Sequence, residues 1–304
     1  MFSSELWQAP SAGGYTPTTR GIFAYGNSGS VTAISNLVSS SGVVASDTAG
    51  VGTAEKTRCG ATYGIDKAFF WGGEFANHTN LVSSSGVVAS DSTGGGSARY
   101  GAAATTYGED TAIIYCGQTS GSTTNIANLV SNSGAIASDT SGVGQNRINI
   151  AGVAYGEDKG IFGYGNVGNA TSSFSMTNLV NNSGVISADV TGVGTVRGYL
   201  AACTYGGDKA IFGYGQNYTL SGSPYKITNL VSNSGVVAAD VSGVGTTRFD
   251  LAACGYGSDK GIFGFGNGNK SMTNLVSNSG VVASDTSGVG TGRSGLSAAG
   301  YSIT

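Results

Sequence analysis

The tripeptide Asn-Leu-Val recurs at Asn36, Asn80, Asn128, Asn178, Asn229 and Asn274, at successive spacings of 44, 48, 50, 51 and 45 residues. In every copy an Asp follows that Asn by eleven places: Asp47, Asp91, Asp139, Asp189, Asp240 and Asp285. Spacing this strict means one supersecondary unit repeated six times along the chain. Residues 248–290 carry a full copy: an Arg and an Ala-rich segment ending in Gly-Tyr-Gly, then Asp-Lys-Gly-Ile-Phe-Gly-Phe-Gly, a polar loop, Thr-Asn-Leu-Val, and Gly-Val-Val-Ala-Ser-Asp-Thr-Ser-Gly-Val-Gly.

Each unit offers four short runs rich in Val, Ile, Phe and Tyr, bounded by Gly, Asn, Asp and Ser; in the copy above these are 251–256, 260–265, 273–277 and 280–284. Such runs read as strands. No segment keeps helical periodicity over ten residues. Four strands in each of six units predict an all-β, six-bladed β-propeller of four-stranded antiparallel blades. Blades covered on both sides by their neighbours need apolar residues on both strand faces, as in Gly-Val-Val-Ala. The Ala-rich segments have the smallest side chains and are placed innermost, where blades converge. The Gly-Ile-Phe-Gly strand comes next, and the Gly-Val-Val-Ala segment outermost.

The two ends of the repeat complete each other. Arg20-Gly-Ile-Phe-Ala-Tyr-Gly lacks the Ala-rich segment that should precede it, and residues 293–301 are that segment with nothing after it. A linear solenoid would want a distinct polar cap at each end. A ring wants this split unit, closed by the C-terminal strand joining the N-terminal blade, with 296–302 beside 21–25.

Residues 19–304 therefore form one domain, and residues 1–18, which do not match the repeat, an N-terminal arm. Leu6 and Trp7 on that arm are candidates for docking to a partner surface. With 53 Gly among 304 residues and only 10% charged residues the chain could suggest disorder, but regular apolar runs argue against it. No basic stripe is present, so nucleic acid is not an expected partner. No apolar run approaches the ~20 residues of a membrane helix, and the N-terminus lacks signal-peptide features. Cys59, Cys116, Cys203 and Cys254 form no Cys-x-x-Cys pair and are expected as buried free thiols.

The pattern Arg-x-x-Leu-Ala-Ala followed by Gly-x-Asp-Lys-x-Ile-Phe-Gly-Tyr-Gly resembles the kelch-type propeller unit over residues 20–301. It departs from kelch at Gly213-Tyr214-Gly215, where the paired glycines are split; only Gly72-Gly73 keeps the pair, and the outer-strand Trp is missing. The repeat also resembles arrays in tail and fibre proteins of marine bacteriophages, and Ser-Ser-Glu-Leu-Trp resembles leaders on such virion proteins. That resemblance implies a virion location and other virion proteins as partners.

Catalysis needs unlike groups converging at one place, whereas most charges here repeat. Eleven of the 17 acidic residues are the six repeat aspartates above and Asp66, Asp110, Asp158, Asp208 and Asp259. Arg99, Arg147, Arg197, Arg248 and Arg293 share one slot, eight before the Tyr, which Glu55 breaks in the first copy. Repeated charges read as scaffold. Ser284-Asp285-Thr286-Ser287-Gly288 resembles a sialidase turn without its closing aromatic, and kelch-class copper oxidases need two His ligands where this chain has one, His78. No enzyme activity, cofactor or metal is expected. Length variation concentrates in the loops 27–35, 74–79, 118–127, 166–177, 216–228 and 267–273, on one predicted face of the ring. Loops on a rigid scaffold commonly carry binding. Their atypical residues, Phe75, His78, Phe174, Tyr218, Tyr225 and Lys226, are the candidate ligand contacts; Tyr100, Tyr199 and Phe249 also differ between copies. The expected function is a non-enzymatic structural or adhesive virion protein, tail-associated, facing a host-surface glycan or another virion protein and open to homo-oligomerisation. A cellular carbohydrate- or protein-binding propeller is the alternative, and a glycan-processing enzyme the third reading.

Overall fold

The computed structural model describes residues 17–74, 76–168, 172–217 and 222–303. Among them there is no α-helix; the chain is all-β, in six small antiparallel sheets in a propeller-like arrangement. The first sheet holds β1 (Arg20–Ala24) and β2 (Ser35–Val38). The second holds β3 (Cys59–Tyr63), β4 (Lys67–Trp71), β5 (His78–Val82) and the two-residue β6 (Ser92–Thr93). The third is β7 (Ala103–Tyr107), β8 (Thr111–Tyr115) and β9 (Ala127–Val130), and the fourth β10 (Ala151–Tyr155), β11 (Lys159–Gly163) and β12 (Thr177–Val180). The fifth is β13 (Ala201–Tyr205), β14 (Lys209–Gly213) and β15 (Thr228–Val231), and the sixth β16 (Ala252–Tyr256), β17 (Lys260–Gly266) and β18 (Lys270–Val276). The last strand, β19 (Ser297–Tyr301), starts no new sheet. It pairs antiparallel with β1 in the register Arg20↔Tyr301 to Ala24↔Ser297, giving the order β19-β1-β2.

The small-residue strands β3, β7, β10, β13, β16 and β19 are innermost, and all six line a common axial channel. Backbone hydrogen bonds join their two ends. At one end Thr57 N–H donates to Gly295 O (2.7 Å), Gly101 to Thr57 (3.2 Å), Asn149 to Gly101 (2.8 Å), Tyr199 to Asn149 (3.0 Å), Asp250 to Tyr199 (3.0 Å) and Gly295 to Asp250 (2.9 Å). At the other end Gly64 donates to Asp110 O (2.7 Å), Gly108 to Asp158 (2.8 Å), Gly156 to Asp208 (2.7 Å), Gly206 to Asp259 (2.8 Å), Gly257 to Thr19 (3.0 Å) and Ser302 to Asp66 (3.0 Å).

There is no single central core. Six apolar clusters each fill the space between two sheets, as where Ile22, Ala24 and Tyr25 meet Ala68, Phe70 and Val82. The second strand of each sheet is buried on both faces, which is why Gly-Ile-Phe-Gly carries no alternation. Edge-to-face pairs such as Tyr164–Phe212 and Tyr214–Phe263, with ring centroids 5.1 and 5.2 Å apart, cross from sheet to sheet. Gly213 shows why that strand needs glycine: a Cβ there would lie 2.7 Å from the Phe263 ring of the next sheet. The four cysteines are buried and free. Burial pushes the thiols of Cys59 and Cys254 up to about 12, so they pack as small apolar groups.

The fourth strand differs from expectation. Only the second sheet has a continuous one; elsewhere the outer segment pairs through isolated bridges such as Val276↔Val282 and Thr273↔Thr286. The two bridges differ in register by one residue, so a bulge opposite Asn274 breaks the ladder. Asn274 fills the gap, donating from Nδ2 to Ala283 O (3.0 Å) and to Asp285 Oδ1 (2.9 Å). The outer segment is not covered on both faces either: Val281 is 65% exposed and Val282 8%.

The repeated charges form the clamp that holds each crossover to its sheet. Asp285 accepts from Thr246 N–H (3.0 Å) and Thr246 Oγ1 (2.7 Å), and Asp47 accepts the same pair from Thr291, 244 residues away in sequence. Partial burial works against the ionised form, yet these hydrogen bonds prevail and hold both carboxyls below the ordinary Asp value. The arginines lie beneath the crossover. Arg197 is fully buried, donates to Tyr214 O (2.8 Å) and Asn229 Oδ1 (2.7 Å), and stacks 4.2 Å over the Tyr164 ring of the preceding sheet.

The first-copy gap in the Arg slot has a structural answer. Glu55 keeps the slot's backbone role, its carbonyl accepting from Gly26 as Arg197 O accepts from Gly165. Arg58, three residues later, supplies the charge: it stacks 4.2 Å over Tyr25 and donates to His78 O at 2.8 Å. It does not reach Asn80 Oδ1, which has no hydrogen-bond partner. Arg58→Leu should therefore destabilise the fold by about 2–3 kcal/mol, the scale of one charged hydrogen bond plus a cation–π contact. The double variant Glu55→Arg/Arg58→Leu, which restores the consensus, should recover that loss; urea denaturation midpoints of the three proteins check it.

Candidate functional site

The first residue of each variable loop lies beside the residue that leads into the innermost strand. Asn27 bridges Ser294, Gln118 bridges Tyr100, Asn166 bridges Ile148 and Gln216 bridges Gly198. All the loops therefore leave from the same end of the inner strands, the end joined through Thr57, Gly101, Asn149, Tyr199, Asp250 and Gly295. The Asp-Lys turns lie at the opposite end, where Asp158–Lys159, Asp208–Lys209 and Asp259–Lys260 form ion pairs of 2.6 Å. Solvent screens these pairs, and they contribute little beyond fixing the turn.

The channel opens at the loop end into a mouth of about 280 Å³ lined by Lys56, Glu74, Tyr100, Asn149, Tyr199 and Asp250, among others. Below it a throat of about 100 Å³ is collared by Ala102, Ile150, Leu200, Leu251 and Leu296. Six of the 17 acidic residues fall outside the repeat slots, and three of them, Glu55, Glu74 and Asp250, stand at or beside this mouth. Lys56 pairs with Glu74 at 3.0 Å, and Glu74 N–H donates to Glu55 Oε2 at 3.1 Å. Asn149 Nδ2 reaches Asn166 Oδ1 at 3.3 Å, and Tyr199 packs edge-to-face on Phe249 with centroids 6.1 Å apart. Unlike groups thus converge here, whereas the aspartates and arginines of the repeat slots recur from sheet to sheet.

Asp250 stands apart from the other aspartates. Its backbone is in the left-handed region at φ 53°, which its hydrogen bond to Tyr199 O imposes. Recession in the mouth penalises its charge, and Lys56 only partly offsets this, so the carboxyl is pushed up to about 6. It is still open to water, being half-buried in the walls of the mouth.

The loop candidates named from sequence fall elsewhere. Phe174 and Tyr225 occupy one slot in adjacent sheets, both half-buried, with N–H to Gly165 O and Gly215 O at 2.8 Å and carbonyls accepting from Arg197 and Arg248 N–H. Lys226 is exposed beside Tyr225. His78 is the first residue of β5, in register with Thr93, and its carbonyl is the acceptor for Arg58. Phe75 and Tyr218 lie outside the described residues, as do Leu6 and Trp7. Tyr100 and Tyr199 are at the mouth as their variability suggested; Lys56, Glu74, Asn149 and Asp250 were not singled out. For Asn149 and Asp250 the signal was present in the column two places after the Arg slot, which reads Thr57, Gly101, Asn149, Tyr199, Asp250 and Gly295. Among the described residues no group of three or more His, Cys, Asp or Glu is arranged to hold a metal ion, and no helix is long and apolar enough to cross a membrane.

The chain matches no protein-family model, and no curated protein matches its sequence.

The raised carboxyl of Asp250 has a consequence for stability. A carboxyl whose folded pKa exceeds its unfolded value of 3.8 takes up a proton on folding, so the stability it allows is full below about pH 4 and falls as pH rises through about 6. Asp250→Asn removes that penalty. The variant should melt a few degrees above the parent at pH 7.5 and at the same temperature as the parent at pH 4, read by scanning calorimetry.

Proposed function

We propose that the chain is a closed six-bladed β-propeller, kelch-like in its repeat, that acts without catalysis as a structural and adhesive component of a phage particle, associated with the tail. Three features support the closed six-bladed reading. The last strand lies in register beside the first, each core cluster spans two neighbouring sheets, and the hydrogen bonds at both ends of the inner strands run from each sheet to the next. The virion reading rests on the resemblance of the repeat and of the N-terminal leader to phage tail and fibre proteins.

One observation carries the adhesive reading: Thr18, near the start of the described residues, and the mouth with its non-repeating residues lie at opposite ends of the axis. Thr18 sits at the turn end of the channel, buried against Gly255 and Gly300, and its carbonyl accepts from Ser258 N–H at 3.0 Å. The arm of residues 1–18 thus leads into the disc at the centre of the turn face. Leu6 and Trp7 on that arm dock to another virion protein. The loop face then points away from the attachment, with Tyr225 and Lys226 at its periphery and the mouth at its centre, toward a host-surface glycan. The repeated Asp, Asn and Arg groups are taken up by the clamps within the sheets, which leaves the loop face as the place where residues differ enough to recognise anything.

The test is a glycan array with the full chain, together with Tyr225→Ala and Lys226→Ala, and a comparison of particle incorporation for the full chain and a chain lacking residues 1–16. Saturable glycan binding weakened several-fold by the loop variants, and incorporation lost with the arm, are the expected results. Glycoside turnover by the purified chain would overturn the non-enzymatic reading, and particles free of the protein would overturn the virion one.

A further inference from the structure

We infer that the axial mouth on the loop face is a binding site for a single neutral pyranose ring, with the Asp250 carboxylate as the acceptor of a pair of sugar hydroxyls. The inference rests on the reading of the loop face as the ligand-facing side and adds to it the site and the class of sugar.

Size sets the first limit. Small-molecule pockets commonly run from ~300 to 1,000 Å³, and a mouth of about 280 Å³ is at the bottom of that range. It holds one ring and excludes an oligosaccharide or a peptide from its depth. Chemistry sets the second. The lining offers a carboxylate, an amide at Asn149, hydroxyls at Thr57 and Ser294 and the two tyrosines, with the aliphatic collar lying only below them. A carboxylate is acceptor-only, and a pair of vicinal hydroxyls presents two donors to it in the geometry it needs. Among the described residues nothing donates a hydrogen bond to Asp250, so its acceptor sites face the mouth.

Charge sets the third. The charged groups around Asp250 are Lys56 and Glu74, which pair with each other at 3.0 Å, Glu55, whose carboxylate accepts the Glu74 N–H at 3.1 Å, and Arg58 in the throat, whose guanidinium is taken up by the Tyr25 ring and His78 O. Tyr100 and Tyr199 complete the titratable groups lining the mouth. With the Lys56–Glu74 pair neutral, the charge left over at the mouth is negative, from Asp250 in its wall and Glu55 beside it. Sialic and uronic acids would bring a further carboxylate to it and are disfavoured; Arg99, Arg147, Arg197, Arg248 and Arg293 are buried beneath the crossovers and Arg20 opens β1 at the turn end, so no carboxylate clamp stands here. The same charge explains why a carboxylate would be kept where it costs stability: the residue is placed for a ligand and not for the fold.

The experiment is saturation-transfer NMR with the full chain against methyl glycosides of neutral hexoses, N-acetylhexosamines, glucuronic acid and sialic acid, at pH 7.5 and pH 5. At least one neutral pyranose should bind saturably in the millimolar range, and Asp250→Asn should weaken it by at least about tenfold, the scale of a hydrogen bond to a charged group. Lowering the pH to 5 protonates Asp250 and should weaken binding to the parent but leave the residual binding to Asp250→Asn unchanged. The calorimetric comparison of the two proteins shows that the variant is folded. No saturable neutral sugar up to roughly 50 mM, unchanged affinity in Asp250→Asn, or stronger binding of sialic or glucuronic acid than of every neutral ring would each overturn the inference. Glycan-array binding that is lost in Tyr225→Ala or Lys226→Ala but intact in Asp250→Asn would overturn the mouth alone and leave the adhesive loop face standing.

Discussion

The structure depends on the backbone hydrogen bonds that link the innermost strands at their two ends. Six narrow sheets meet at an axis lined mostly by Gly, Ala, Ser, Thr and Cys, so side-chain packing there can bury little apolar area. The linkage is instead made by amides and carbonyls, each sheet donating to one neighbour and accepting from the other. At the loop end this requires left-handed backbone at Thr57, Asn149, Tyr199 and Asp250, with φ between 53° and 57°. A non-glycine residue in that region costs on the order of 1 kcal/mol, which the linkage offsets by satisfying groups that would otherwise face a crowded channel. Because the backbone does the work of this slot, its side chain is released from it. That is why the column two places after the Arg can read Thr, Gly, Asn, Tyr, Asp and Gly, and why variation at the axis concentrates in the mouth.

The same separation of position from sequence slot explains Arg58. The scaffold needs a cation stacked on the aromatic ring of the preceding sheet and hydrogen-bonded beneath the crossover. Arg99, Arg197, Arg248 and Arg293 place it from the Arg slot; the second sheet places it from the slot that elsewhere holds Leu, Ile or Ala. Glu55 is thereby released to the loop face, where it approaches Glu74, and Lys56 beside it becomes the counter-ion at the mouth. One exchange within the clamp has therefore contributed two charged groups to the place where unlike, non-repeating charges converge.

Much of the fold was legible because it follows from the repeat. The split unit at the ends predicted the pairing of β1 with β19, the small residues predicted which strands lie innermost, and the doubly buried Gly-Ile-Phe-Gly strand follows from glycine facing the next sheet's Phe. The outer segment was misread because Gly-Val-Val-Ala has the composition of a strand, while the bulge opposite Asn274 depends on a side chain replacing a backbone partner, which no pattern of apolar residues reports. The loop candidates were chosen as exposed aromatics. Phe174 and Tyr225 turn out half-buried over the loop bases, since their N–H and C=O groups are tied to Gly165, Gly215 and the clamp arginines. Asp250 was passed over because it sits inside the repeat and not in a loop. Its difference shows only when the six copies are aligned on the Arg slot and read downward.

Stability and recognition pull against each other at the axis. In the clamps Asp47, Asp91, Asp139, Asp240 and Asp285 are held below their ordinary pKa by Ser, Thr and Asn donors, and their charge strengthens the fold. At the mouth the same residue type, given no donor by the scaffold and recessed among tyrosines, is held above it. A fold that repeats one solution six times has little reason to carry an unsatisfied carboxylate at its centre, where Gly101 and Gly295 complete the same hydrogen bonds with no side chain at all. The carboxylate therefore adds nothing to the linkage of the inner strands, and the proposed ligand site is the reading that gives it a use.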